Sequence, residues 1–84
     1  MDAIEIIRQN VKIRAAYLDR SMADLCQAGQ VDAKAVSGWL RHGNPNLSNL
    51  ATIATVLRVP VHALLDPSFD PKDHPVLEED HLGF

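Results

Sequence analysis

Residues 21–41 read SMADLCQAGQVDAKAVSGWLR, and their reading decides the fold. Ser21 is a good N-cap, and Asp24 follows three residues on, near the positive end of a helix. Leu25 and Cys26 point inward from that helix. Gly29 offers the left-handed conformation that stops it. Asp32 then caps a further helix over about 33–41. Val36, Trp39 and Leu40 form its inner edge, and Ala33, Lys34, Ser37, Gly38 and Arg41 stay outside. Trp39 resembles a stacking residue in isolation, but its helical phase assigns it to the core.

The flanks extend the pattern. Ile4, Ile7, Val11, Ala15 and Leu18 recur at helical spacing and predict a first helix over about 3–19. Arg8, Lys12 and Arg14 are expected off that buried face. The run HGNPN (42–46) is a strong loop signal. Leu47, Leu50, Ile53, Ala54 and Leu57 mark an amphipathic fourth helix. Pro60 suits the first turn of a short fifth one, with Val61, Leu64 and Leu65 inward. No strand pattern and no internal repeat is present, so the fold class is all-α.

Eighty-four residues with a hydrophobic fraction of 46% make one small domain with a single core. No stretch approaches the roughly 20 apolar residues of a membrane span, and the start lacks a signal-peptide pattern. The one cysteine, Cys26, has no internal disulfide partner. A cytoplasmic protein is the expectation.

The net charge is −3, and it divides unevenly along the chain. Residues 1–65 hold seven Lys/Arg and five acids, about +2. Residues 66–84 hold only Lys72 against Asp66, Asp70, Asp73, Glu78, Glu79 and Asp80, about −5. The acidity therefore belongs to a tail, which also carries Pro67, Pro71 and Pro75. Two units are expected: a domain over 1–66 and an extended or partly disordered acidic tail over 67–84. Phe69, Val76, Leu77, Leu82 and Phe84 are its candidate contact points.

Two helices joined by a tight turn are the layout of a helix-turn-helix. Residues from about 8 to 65 resemble the Cro/C1-type helix-turn-helix proteins, the family of phage repressors and many bacterial regulators. The resemblance rests on Ser21, Leu25, Cys26 at a usual alanine position, Val31, Asp32, Val36 and Trp39. The segment GNPNLSNLATIATVLRVPVHALL (43–65) adds the family's loop, fourth helix and closing short helix. It implies a compact five-helix lambda-repressor-like domain that binds operator DNA as a homodimer.

The chain departs from the family pattern at three places. Gln30 stands where the turn usually has Gly, and Met22 where the second helix often starts with Gln. The outer face of the 33–41 helix carries small side chains rather than several long polar ones. These departures bear on the strength and specificity of DNA reading more than on the fold.

Candidate contacts follow from exposure and chemistry. Lys34 is placed to donate to guanine O6 and N7; its bland alternative is a solvated or phosphate-touching lysine. Ser37, one turn on, reaches a base, a phosphate or only water. Ala33 and Ala35 fit thymine methyl groups, though helix propensity also explains them. Gly38, costly inside a helix, fits close backbone approach to DNA or to another helix. Arg41, His42 and Asn44 are placed for phosphates, as are Asn46 and Ser48 near a helix N-terminus. No metal-ligand or catalytic spacing emerges from His42, His62, His74, His81 and Cys26, and the four glycines make no phosphate loop. No cofactor is expected, and no enzyme activity.

The expectation is a sequence-specific transcriptional regulator, a repressor of phage or mobile-element type, on double-stranded DNA. The alternative is a protein-interaction module, antitoxin-like or tail-regulated, with weak or lost DNA binding. In that alternative the tail binds a protein partner, or folds back over the basic side of the domain.

Overall fold

A computed structural model describes residues 2–43 and 45–75 of the chain. Five helices follow one another: α1 (Ala3–Leu18), α2 (Met22–Ala28), α3 (Ala33–His42), α4 (Leu47–Leu57) and α5 (Val61–Leu64). A 3-10 turn over Pro71–Asp73 comes last, and the described residues contain no strand. The radius of gyration, 12.2 Å, is near the roughly 11–12 Å of a packed chain this long.

Each longer helix begins on a side chain that accepts from its first turn. Asp2, Ser21, Asp32 and Asn46 take backbone N–H groups of Glu5, Asp24, Lys34 and Asn49. These caps satisfy donors that have no partner inside the helix. Ile7 and Val11 of α1, Leu25 and Cys26 of α2, and Val36 of α3 meet Ile53, Ala54 and Leu57 of α4 in one core. Ala63 and Leu64 of α5 close it, and Trp39 and Leu40 pack against it partly buried.

Four expectations are corrected. Arg14 does not lie off the buried face: it is fully buried, the largest side chain to be so. Gly29 is not left-handed, with φ −88°. Gln30 takes that conformation instead, with φ 58°. Leu47 is not inward but 74% exposed, and Leu65 is also exposed. The first part of the tail is not extended. Phe69 packs against the core, its ring stacked on His74 at 5.8 Å, and Pro71 accepts a hydrogen bond from Arg14. Contacts thus run across the expected boundary at residue 66.

One device joins the helices. Three polar side chains of α1 each seize the C-terminal carbonyls of another helix. Arg8 donates to Leu40 O and Arg41 O of α3, at 2.6 and 3.0 Å. Buried Asn10 donates through Nδ2 to Ala63 O, Leu64 O and Asp66 O around the end of α5. Arg14 donates to Leu57 O and Arg58 O at the end of α4, and to Pro71 O beyond α5. Helix C-termini present unpaired carbonyls with partial negative charge, so cations and amide donors are favoured there. This explains how α1 buries a guanidinium in an apolar core. Among the described residues no buried side-chain nitrogen or oxygen lacks a partner.

Candidate nucleic-acid interface

The turn before α3 is set by main-chain bonds. Gly29 N–H donates to Leu25 O, Gln30 N–H to Gln27 O, and Val31 N–H to Cys26 O at 2.8 Å. Val31 packs partly buried against the core and aims the chain toward Asp32, the cap of α3. At the far end, Gly43 takes φ 76° and Arg8 grips the last carbonyls. The helix is therefore fixed at both ends and along its inner edge by Val36, Trp39 and Leu40.

Lys34, Ser37 and Arg41 share the outer edge of α3 at i, i+3 and i+7, and all three are exposed. Arg41 Nη2 donates to Ser37 Oγ at 3.4 Å. Ala33 and Ala35 are half-buried, and Ala33 packs against the core. A Cβ added at Gly38 would meet nothing within 4 Å. Packing against another described helix therefore does not account for this glycine. His42 is exposed at the end of the helix. Asn44 lies outside the described residues.

The other sequence-selected residues lie elsewhere. Asn46 spends its carboxamide oxygen on Asn49 N–H, as the cap of α4. Ser48 is exposed on the first turn of α4. It lines a groove of about 850 Å³ between α2 and α4, where Arg20 and Arg58 also stand. The structure thus brings Ala33, Lys34, Ser37 and Arg41 to one place and puts Ser48 at another.

That first place is a groove of about 590 Å³ between α1, α2 and α3. Val11, Met22, Val36 and Leu40 supply its apolar lining, with Arg8, Lys12, Lys34 and Arg41 as its charged groups. Among the described residues no carboxylate lines it. Arg8 was readable as a surface cation, but its grip on residues 32 and 33 positions away was not.

Among the described residues two titratable groups depart from their ordinary pKa. Burial pushes the Cys26 thiol pKa up, and the charge of Asp32 adds to this. Burial lowers that of Arg14, with Tyr17 opposing; the Arg14 guanidinium sits 5.3 Å from the Tyr17 ring centroid. Cys26 has no exposed surface and packs in the core. Among the described residues no group of three or more His, Cys, Asp or Glu side chains is placed to hold a metal ion. No described helix is long and apolar enough to cross a membrane. Comparison with protein-family models, with curated proteins and with solved structures finds no match to this chain.

Proposed function

We propose that this protein is a sequence-specific DNA-binding transcriptional regulator with a lambda-repressor-like domain, and that α3 enters the major groove. The exposed stripe of Lys34, Ser37 and Arg41, on a helix held rigidly at both ends, carries this reading. Lys34 donates to guanine O6 and N7. Ser37 meets a neighbouring base or phosphate, and its bond to Arg41 aims that guanidinium at the backbone. Ala35 fits a thymine methyl better than Ala33, which is spent partly on the core. The open space over Gly38 suits close approach of the helix backbone to DNA. His42 and Asn46 Nδ2 add phosphate contacts.

The protein acts as a homodimeric repressor. Two copies of α3 enter successive major grooves about 34 Å apart on a pseudo-palindromic operator and block polymerase sterically.

Selection from a random double-stranded DNA pool tests this. The expected result is an enriched inverted repeat with half-site centres about one helical turn apart. Lys34→Ala then weakens binding and relaxes one base position, at a cost of about 1–3 kcal/mol. A well-folded protein that enriches nothing overturns the proposal and favours the protein-interaction module.

A further inference from the structure

The groove between α1 and α3 combines two properties that a DNA-binding face does not need together. Its charged groups among the described residues are cations: Lys12, Lys34 and Arg41, beside the engaged Arg8. Its floor is apolar, with Val36 and Leu40 among its residues. Phosphate backbones satisfy the first property and leave the second unused. An acidic peptide with apolar side chains satisfies both.

The chain carries such a peptide. Residues 76–84 read VLEEDHLGF: three consecutive acids flanked by Val76 and Leu77 on one side, Leu82 and Phe84 on the other. We propose that residues 76–84 dock in this groove of their own chain, with the acids against the cations and the apolar residues against the floor.

The connection is short enough. The described chain is tied to α1 where Arg14 Nη1 holds Pro71 O at 3.1 Å. The short way round α1 from Arg14 to Arg8, about 120°, is closed by the buried Ile7 and Val11. The solvent side therefore spans about 240° of a helix roughly 10–12 Å wide, a path of about 25 Å. Residues 76–84, the nine that follow the last described residue, reach about 30 Å when extended. The path crosses the exposed face of α1, where Ile13 and Gln9 lie.

Docking covers Lys34 and Ser37, so the tail competes with DNA for α3; this consequence rests on the DNA-binding reading above. For a groove occupied about nine-tenths of the time, releasing the tail tightens DNA binding about tenfold.

The test uses the full chain. A nitroxide is attached at Gly83→Cys; Cys26, with 0% exposure, stays unlabelled. The amide signals of Ala23, Lys34 and Ser37 are expected to broaden, and those near Leu65 are not. Neutralising the acids (Glu78→Gln, Glu79→Gln, Asp80→Asn) is expected to remove the broadening and to tighten DNA binding. Broadening absent from the groove, or unchanged after neutralisation, overturns the proposal. Broadening seen only between labelled and unlabelled copies also overturns it, since the tail then serves a second copy. If DNA binding tightens without groove broadening, the tail acts by diffuse repulsion and docking fails. If groove broadening responds to neutralisation but neither form binds DNA, docking stands and the DNA-binding reading fails.

Discussion

Arg14 is a residue whose position and chemistry point in opposite directions. It sits seven residues after Ile7 and three after Val11, on the apolar stripe of α1. Charge alone assigns it to solvent, but the helical period assigns it to the core. Its guanidinium ends among Leu57 O, Arg58 O and Pro71 O, and these carbonyls offset its loss of water. Hydrogen bonds to a charged group contribute about 1.5–3 kcal/mol each, without adding fully. Arg14→Leu is therefore expected to cost about 3 kcal/mol or more, read as a lower urea midpoint. A loss under 1 kcal/mol would show that the carbonyls find water as readily. Asn10 repeats the lesson, three residues after Ile7 and equally buried. The helical period places both residues on the buried face, but polarity led the sequence reading to put Arg14 off it and to pass over Asn10, and the partners on distant helices were hidden.

Among the elements, the turn between α2 and α3 shows both what local rules resolve and where they stop. Ser21 and Asp32 were legible as caps, since small oxygen-bearing side chains before an apolar period have few other uses. The choice between Gly29 and Gln30 was not, because main-chain bonds around the turn decide it. A left-handed residue with a Cβ costs roughly 1–2 kcal/mol, partly offset by the extra freedom that glycine has when unfolded. Gln30→Gly is expected to stabilise the protein by about 0.5–1 kcal/mol, read as a higher midpoint in denaturant. An unchanged or lower midpoint would mean the Gln30 side chain contributes what its backbone loses. Within α3, Gly38→Ala fills open space and is expected to add about 0.5–1 kcal/mol of stability. The same change is expected to weaken DNA binding several-fold, in a titration against the selected site. Full affinity would remove Gly38 from the interface. The outer stripe of α3 was legible from periodicity alone. Leu47 and Leu65 misled, because a helical period places a residue on a face without saying where the core ends.

For the whole molecule, the sign of the charge depends on where it is read. The chain is acidic, yet among the described residues the groove beside α3 is lined by cations and by no carboxylate. A dimer that brings Lys34 and Arg41 of each copy to the DNA should show log K falling against log salt with a slope of about −4. A slope near −9, as for ten contacts, would mean that surfaces beyond α3 hold the backbone. The first part of the tail escaped the sequence reading for a related reason. Acids and prolines signalled an extended segment, while one aromatic, Phe69, and one distant guanidinium, Arg14, tie residues 69–71 down.

The grip of Arg8 on α3 has a consequence for how this protein can change over generations. Arg8 holds oxygens of the main chain, which every amino acid carries, rather than any side chain of the helix. The outer positions of α3 are thus free to be rewritten by mutation without loosening the anchor. What the helix touches can drift or be re-engineered, while how it is presented is inherited unchanged.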